Sequence, residues 1–181
     1  MKGAMNIVLI GFRGTGKTTI GNELAKKLKR DFISTDAEVE KREGKTINEI
    51  VDSGGWGRFR ELEREATDAI SKMDNCIIDT GGGTILYEEN LNKLKKKGVF
   101  VLLEAEKGVI IKRIKRKGDE KRPSLTGKGV AEEAEELLAQ RNAKYKNAAD
   151  FAIDTSEIEK AEEKKAVVEK IILFLEKRKV V

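Results

Sequence analysis

Five short apolar runs alternate along the chain with longer segments in which apolar residues recur every three or four positions. The runs are NIVLI (6–10), FIS (32–34), CIID (76–79), VFVLL (99–103) and FAID (151–154). Several are apolar at successive positions, which is typical of parallel strands buried on both faces. The intervening segments have helical periodicity, for example Ile20, Leu24 and Leu28 after Lys17. The alternation predicts an α/β layered fold with a parallel sheet.

Helix boundaries are predicted from capping residues. Thr35-Asp36-Ala37-Glu38 and Thr46-Ile47-Asn48-Glu49 each match the capping-box pattern, and Gly44 between them predicts a helix stop. Further helices are expected over about 58–73, 131–147 and 159–179. The polar stretch 117–129 contains three glycines and the only proline, so it is either a solvated linker or a mobile lid.

Composition narrows the class of protein. The chain has 181 residues, of which 39% are apolar and 38% charged, so we expect a single globular domain over 1–181. The net charge is +5, but basic residues are interleaved with Glu and only 5% of residues are aromatic, which argues against a nucleic-acid groove. The sequence contains neither a membrane-length apolar run nor a secretory signal, and Cys76 is its only cysteine. We expect a cytoplasmic protein that acts as a monomer, with no membrane partner.

The stretch GFRGTGKT (11–18) matches the phosphate-binding loop G-x-x-x-x-G-K-T and lies between a predicted strand and a predicted helix. Its glycines allow successive backbone N–H groups to point at a phosphate, Lys17 is expected to reach the β- and γ-phosphates, and the Thr18 hydroxyl is expected to support Mg²⁺. The predicted nucleotide-binding residues are Gly14, Thr15, Gly16, Lys17, Thr18 and Thr19. A dinucleotide-binding loop is excluded, because Thr19 stands where its third glycine should be.

Polar residues follow two other predicted strands. Asp36, just after FIS, could accept the proton of an attacking hydroxyl, but it could equally be an acidic residue of a helix first turn. Asp79 ends CIID and could hold the water shell of a metal near the phosphate loop. The glycines that follow it, Gly81, Gly82 and Gly83, either let a ligand approach the backbone or form a plain flexible turn.

Three arginines stand out by position. Arg141 falls on the apolar stripe of a predicted helix, where a bound carboxylate or phosphate would satisfy it unless it extends to solvent. Arg60 flanks the apolar stripe through Phe59 and could instead pair with Glu61 or Glu63. Arg122, in KRPSL, could stabilise a phosphoryl group in transit, or simply be a loop arginine in solvent.

Together these motifs resemble the shikimate kinase family over nearly the whole chain. GFRGTGKTTIG is similar to the family's phosphate loop, and STDAEVEKREGKTINEI to its strand-to-helix segment with an Asp. FRELE resembles F-R-x-x-E, TGGGTI the triple-glycine turn, KRPSL the lid motif R-P-L-L and QRNAKY the R-x-x-x-Y motif. The motifs occur in the family's order.

The resemblance implies ATP-dependent phosphorylation of shikimate with Mg²⁺, a step of aromatic amino-acid biosynthesis. It implies a nucleoside monophosphate kinase-like fold, three layers with a five-stranded parallel sheet in the order 2-3-1-4-5, a substrate-binding region at about 36–64 and a mobile lid at about 117–129. Asp36 would bind ring hydroxyls and assist proton removal, while Lys17 and Arg122 would stabilise the phosphoryl group and bind ATP. The substrate would be held by Arg60 and Arg141 at its carboxylate and by Gly81, Gly82 and Gly83.

The chain departs from the family pattern at two positions. Ser34 stands where the family usually has an Asp that helps hold Mg²⁺ through water, and Trp56 stands where it usually has a Glu. Asp79 occupies a position where the family often has a small neutral residue, so we expect it to take over the role lost at Ser34. Either Arg113 or Arg116 could face the adenine.

Two other functions remain open from the sequence. One is a phosphate-loop kinase of another small hydroxylated metabolite, such as gluconate, although its substrate motifs are not found. The other is a nucleotide-binding regulator that has lost catalysis, with Ser34 and Trp56 as traces of decay.

Overall fold

The structure, a computed structural model, describes residues 5–117 and 123–181. Within these ranges the strands are β1 (Asn6–Ile10), β2 (Asp31–Ser34), β3 (Cys76–Asp79), β4 (Gly98–Glu104) and β5 (Phe151–Asp154). The α-helices are α1 (Lys17–Leu28), α2 (Thr35–Glu43), α3 (Ile47–Ile70), α4 (Glu88–Lys95), α5 (Lys107–Lys117), α6 (Val130–Ala148) and α7 (Ala161–Lys177), and a 3-10 helix (Thr84–Leu86) precedes α4. Each strand lies within one residue of its predicted bounds.

The five strands form one parallel sheet in the order β2-β3-β1-β4-β5, as predicted. β1 is central, and Ile7 pairs with Ile77 of β3 on one side and with Val99 of β4 on the other. All five residues of β1 are buried because helices cover both faces of the sheet. This arrangement explains why the strand is apolar without alternation.

Successive side chains of β1 enter different cores. Ile7 and Leu9 pack with α1 and α7 on one face, where Ile171 and Leu175 are fully buried. Val8 and Ile10 pack on the other face with residues of α3, α4, α5 and α6. The sheet is therefore the middle layer of a three-layer α/β/α fold.

A third apolar cluster joins α2 to α3 beyond the edge of the sheet. Its buried residues are Val39, Ile47, Ile50, Phe59, Leu62 and Ala66, and Trp56 packs against them. This cluster packs α2 against α3 within the region that the sequence assigns to substrate binding, at about 36–64.

The first predicted capping box is wrong. β2 ends at Ser34 in an extended conformation, so α2 begins at Thr35 and its N-cap is Ser34, whose side chain accepts a hydrogen bond from the Ala37 backbone N–H at 3.3 Å. The second box is confirmed: the hydroxyl of Thr46 accepts from the backbone of Glu49, whose carboxylate accepts from the backbone of Thr46. Gly44 ends α2 in the left-handed conformation, as predicted.

The helix predicted from Arg58 begins earlier. α3 runs from Ile47 to Ile70 as one element with a kink at Gly55, whose φ of 69° and ψ of 176° are not helical. Because glycine adopts positive φ without steric cost, the chain changes direction there and resumes the helix. Trp56 and Arg60 belong to the part of α3 that follows the kink.

Candidate active site

The phosphate loop connects β1 to α1 at the carboxyl edge of the sheet, where open parallel sheets bind ligands. Gly11, Gly14 and Gly16 all have positive φ, of 136°, 82° and 89°. At Gly11 a side chain is also excluded by space, because a Cβ would lie 2.4 Å from the carbonyl oxygen of Leu103. The N-cap Gly16 cannot cap α1 with a side chain, which suits the helix terminus to an anion.

Lys17 lies over its own loop. The side chain is buried, and its Nζ donates to the carbonyl oxygens of Gly11 at 2.9 Å and Phe12 at 3.0 Å. Its charge is thus placed within the curl of the loop, where phosphate oxygens bind in phosphate-loop proteins.

The loop residues predicted to bind nucleotide line an open cleft of about 600 Å³, except for Thr15. Gly14, Gly16, Thr18 and Thr19 face the cleft. Thr15 is buried instead, and its hydroxyl donates to the carbonyl of Phe12 at 2.8 Å. The Thr15 side chain therefore stabilises the loop from behind.

Asp79 and Thr18 meet at the cleft wall. The Thr18 hydroxyl donates to Asp79 Oδ2 at 2.6 Å, and Asp79 is only 5% exposed. Ser34 is the cross-strand neighbour of Asp79 in the β2–β3 register, so the residue that departs from the family pattern lies directly beside it. An acidic oxygen and a hydroxyl oxygen are donors of the type that Mg²⁺ prefers. Across residues 5–117 and 123–181, no group of three or more acidic, His or Cys side chains could hold a metal ion by itself.

A second, smaller pocket adjoins the cleft. Asp36, Arg13, Gly81 and Gly82 line both, so the two cavities meet at these residues. The other lining residues of the smaller pocket are Phe12, Trp56, Phe59, Arg60, Glu63, Gly83, Pro123, Leu125, Leu137 and Arg141. We call this the acceptor pocket.

The triple glycine makes room for the polar side chains of the acceptor pocket. A Cβ on Gly81 would lie 2.6 Å from Asp36 Oδ1 and 2.9 Å from Glu63 Oε1, and one on Gly83 would lie 2.6 Å from both terminal nitrogens of Arg60. Neither glycine has positive φ. The glycines are needed here for close approach and not for an unusual backbone conformation.

Arg60 is held by a buried carboxylate. Its Nη1 donates to Glu63 Oε2 at 2.6 Å, and Glu63 Oε1 accepts from the Thr84 hydroxyl at 2.7 Å. Burial raises the pKa of Glu63, while the charge of Arg60 and the hydrogen bond from Thr84 oppose that shift. The guanidinium also lies 5.6 Å from the ring centre of Trp56 and 5.1 Å from that of Phe59. The sequence allowed Arg60 either to pair with Glu63 or to bind a ligand, and it does the first while lining the pocket.

Arg141 enters the same pocket from α6. It is half-buried, its Nη1 lies 3.4 Å from the Gly82 carbonyl oxygen, and its guanidinium lies 6.0 Å from the ring centre of Phe12. The Tyr145 hydroxyl, one turn further along α6, donates to the same carbonyl. The stripe predicted along this helix thus places Arg141 beside the triple glycine.

The two candidate adenine-facing arginines have different surroundings. Arg113 is buried, and its terminal nitrogens donate to the backbone carbonyls of Gly14, Thr155 and Ser156. Arg116 lines the cleft with a side chain that is 63% exposed and lies 3.9 Å from Glu159. Arg122 lies outside the described residues.

The sequence did not single out Arg13, Phe12 or Glu133, which also belong to this site. Arg13 and Phe12 occupy variable positions of the phosphate-loop motif, so the motif gave no reason to select them. Glu133 is an acidic residue in the first turn of a helix, a common feature that favours the helix dipole. Only the folded chain shows that its side chain is buried against Arg13.

The sheet order, the phosphate loop after β1 and the acceptor pocket beside it define a phosphate-loop kinase, a phosphotransferase with an alcohol acceptor. Residues 13–176 match the family described as shikimate kinase. The chain belongs to the shikimate kinase family.

Relatives support this assignment along most of the chain. A shikimate kinase of Syntrophus aciditrophicus is 44% identical over 167 residues, which cover 87% of this chain and 86% of that one. One from Thermodesulfovibrio yellowstonii is also 44% identical, over 92% of both chains. The structure of the shikimate kinase from Acinetobacter baumannii in complex with shikimate matches with a TM-score of 0.88 at 30% identity, covering 98% of this chain and 96% of that one.

None of the helices in the described part of the chain combines the length and apolarity needed to span a membrane.

Proposed function

We propose that this chain transfers the γ-phosphoryl group of ATP to the 3-hydroxyl of shikimate, giving shikimate 3-phosphate for aromatic amino-acid (chorismate) biosynthesis. The observation that carries the proposal is the position of Asp36, which lines both the nucleotide cleft and the acceptor pocket. Arg60 and Arg141 line that pocket too. An acceptor held by its carboxylate on these arginines would present a hydroxyl to Asp36 beside the phosphate loop.

On the nucleotide side, the backbone N–H groups of the loop and the charge of Lys17 would bind the β- and γ-phosphates. Lys17 already lies within the loop, so little rearrangement is needed to bring it to phosphate oxygens. We assign Arg122 to the transferring phosphoryl group, as the family resemblance implies.

On the acceptor side, Asp36 would accept the hydroxyl proton as the bond to phosphorus forms. Phosphoryl transfer depends chiefly on positioning and electrostatic stabilisation, so the arginines matter as much as the base. The hydrogen bonds from Arg60 and Thr84 to Glu63 fix the guanidinium before any acceptor binds. A carboxylate would then add a second, bidentate partner to an arginine that is already oriented.

We propose that Thr18 and Asp79 hold Mg²⁺, Thr18 through its hydroxyl and Asp79 through a water molecule. Mg²⁺ held there together with ATP would supply positive charge that neutralises charge on the phosphates. Such ions keep several waters and take few protein ligands, in line with one hydroxyl and one carboxylate at this wall of the cleft.

We infer that Asp79 replaces the carboxylate that the family usually has at the position of Ser34. The two residues are cross-strand partners, so a carboxylate on either strand end reaches the same wall. The Ser34 oxygen is occupied as the N-cap of α2. Asp79 is also aligned by its hydrogen bond from Thr18, the expected metal ligand.

We further propose that the protein acts as a monomer in the cytoplasm. The single cysteine, Cys76, is buried and free, as is usual in a reducing compartment.

A coupled assay of ADP formation tests the proposed reaction. The purified protein with ATP and Mg²⁺ should form ADP at a rate that depends on shikimate, and the product should be shikimate 3-phosphate by mass and by phosphorus NMR. The methyl ester of shikimate lacks the anionic carboxylate, so its KM should be much higher.

Gluconate serves as the control substrate. ADP formation that is equal or faster with gluconate would replace the proposal with the gluconate-type kinase. Nucleotide binding without ADP formation from any acceptor would identify the protein as a regulator that has lost catalysis.

A further inference from the structure

Glu133 is a buried carboxylate with no assigned part in phosphoryl transfer. It lies in the first turn of α6, and its side chain is 1% exposed. A buried charge is costly unless it is paired and hydrogen-bonded. Its two carboxylate oxygens accept hydrogen bonds from two different segments of the chain, the phosphate loop and the turn 124–126.

Oε1 of Glu133 faces the phosphate loop. It accepts from Nη2 of Arg13 at 2.7 Å, and the Arg13 side chain is itself 17% exposed. Arg13 lies between Phe12 and Gly14 and lines both the nucleotide cleft and the acceptor pocket. One end of the carboxylate is therefore attached to the loop that would bind the nucleotide.

Oε2 of Glu133 faces the turn 124–126. It accepts from the Ser124 hydroxyl, from the Leu125 backbone N–H at 2.7 Å, and from the backbone N–H and the hydroxyl of Thr126 at 3.0 and 3.2 Å. Several donors from three consecutive residues thus converge on a single oxygen.

This turn forms a wall of the acceptor pocket. Leu125 lines the pocket together with Pro123, and the backbone carbonyl of Ser124 accepts from the indole Nε1 of Trp56 at 3.2 Å. Trp56 contacts Phe59 edge-to-face with a ring separation of 5.6 Å, and Arg60 lies over its ring. The turn is therefore linked to the residues that surround the expected acceptor carboxylate.

The surroundings of Glu133 keep it ionised. Burial alone would raise its pKa, but the hydrogen bonds from Ser124 and the backbone of Thr126 and Leu125, together with the charge of Arg13, lower the pKa below its ordinary value. An ionised carboxylate can accept hydrogen bonds at both oxygens at once.

We propose that Glu133 is a positioning residue for the acceptor pocket: it holds the turn 124–126 against the phosphate loop so that Leu125 and Trp56 enclose the acceptor. The proposal rests on the proposed function for the identity of the acceptor. It also gives Trp56 a role, because its indole N–H on α3 donates to the carbonyl of Ser124 in the turn.

The variant Glu133→Gln tests whether both oxygens of the Glu133 carboxylate are needed as acceptors. Its amide has one oxygen and one NH₂ group, so whichever way it turns, the NH₂ group faces either Arg13 or the N–H groups of the turn. One side must lose its acceptor while the shape of the side chain is kept. The neighbouring Glu132→Gln is the matched control, because Glu132 is 68% exposed and lies 3.4 Å from Lys128 at the surface.

The experiment compares these two variants with the wild type by steady-state kinetics and by the emission of Trp56, the only tryptophan. In Glu133→Gln the KM for shikimate should rise about tenfold, the size expected when a hydrogen bond to a charged group is lost, with kcat and the KM for ATP within about twofold. The Trp56 emission of the ligand-free variant should shift to longer wavelength, and saturating shikimate should partly reverse the shift. Glu132→Gln should match the wild type throughout.

Two results would overturn the proposal. One is a Glu133→Gln protein whose shikimate KM and Trp56 emission match those of Glu132→Gln. The other is a lowered melting temperature with equal losses for shikimate and ATP, which would make Glu133 merely structural. Because the ligand-free emission needs no substrate, it decides the role of Glu133 even if the wild type fails to phosphorylate shikimate.

Ser124→Ala keeps the test decisive if Glu133→Gln does not fold. It removes one donor to Oε2 at an exposed residue, so the protein should remain folded and show a smaller rise in shikimate KM with the same emission shift. An unchanged KM and emission in Ser124→Ala would then count against the proposal.

Discussion

The phosphate loop lies within residues 11–18, whereas the acceptor pocket is assembled from residues as far apart as Phe12 and Arg141. The loop depends mainly on backbone: three glycines with positive φ, a helix N-terminus and a lysine folded over its own carbonyls. The acceptor pocket depends on side chains from α2, α3, α6, the turn 124–126 and the phosphate loop itself, which meet around the triple glycine.

Two arginines that line the acceptor pocket are each paired with a buried carboxylate, Arg60 with Glu63 and Arg13 with Glu133. Arg13 belongs to the phosphate loop and lines the cleft as well, so its pair joins the two regions. Both carboxylates are 1% exposed, so each arginine is fixed before a ligand arrives. On the proposed function, we expect nucleotide binding to depend on a local backbone motif and acceptor binding to depend on these two pairs. Arg60 and Glu63 are three positions apart on α3, whereas Arg13 and Glu133 are 120 positions apart.

The largest effect is expected at Asp36, where the two halves meet. Asp36→Asn keeps the shape but cannot accept the hydroxyl proton, so kcat should fall about 10³-fold, the usual contribution of a general base. Shikimate and ATP should still bind, as measured by titration calorimetry. A fall below tenfold would mean that positioning by the arginines and Lys17 supplies most of the catalysis.

A smaller effect is expected at Arg60 and Arg141, the arginines that we propose bind the acceptor carboxylate. Arg60→Lys or Arg141→Lys loses the planar fork, so the KM for shikimate should rise about 10- to 100-fold with ATP binding nearly unchanged. Arg58→Lys is the matched control on α3, since Arg58 is 45% exposed and pairs with Glu61 at the surface. Equal losses of affinity for shikimate and ATP would show that the arginines stabilise the fold. They would then not act on the acceptor pocket separately from the phosphate loop.

The next prediction concerns Asp79, whose side chain we propose holds Mg²⁺ beside the phosphate loop. Asp79→Ala should raise the Mg²⁺ concentration for half-maximal rate about tenfold, as expected for loss of a group that orients a metal-bound water, while Ser34→Ala should change it little. Ser34→Asp in the Asp79→Ala background should partly restore Mg²⁺ dependence, because Asp also caps helices well and keeps α2 intact. An unchanged Mg²⁺ dependence in Asp79→Ala would leave it as a strand-end residue.

Local features, the sheet order implied by the family resemblance and the position of Asp79 near the phosphate loop could be predicted from the sequence, whereas the side-chain contacts of Glu133 could not. The strands, the phosphate loop and the Gly44 stop follow from neighbouring residues. The true cap of α2 was missed because it depends on where β2 ends. The start of α3 was predicted by its capping box, but its continuation beyond Gly55 was not, because Gly54 and Gly55 resemble the end of a helix. One partner of Glu133, Arg13, is 120 positions away, so no local pattern could identify it. The other partner, the turn 124–126, is seven to nine positions before Glu133, but its sequence carries no signal that its donors meet at one carboxylate.

The smallest effect is expected at the far end of the nucleotide cleft, where Arg116 and Arg113 can be told apart. Arg116 is exposed on the cleft wall, so Arg116→Ala should raise the KM for ATP about two- to fivefold, the size of an exposed cation–π contact with adenine. Its shikimate KM and melting temperature should not change. Arg113→Ala should instead lower the melting temperature, because it removes the donors to the carbonyls of Gly14, Thr155 and Ser156, two of which belong to the segment after β5. If Arg113→Ala raised the ATP KM without loss of stability, and Arg116→Ala had no effect, the adenine would lie against Arg113, and adenine binding would depend on a buried side chain as phosphate binding depends on Lys17.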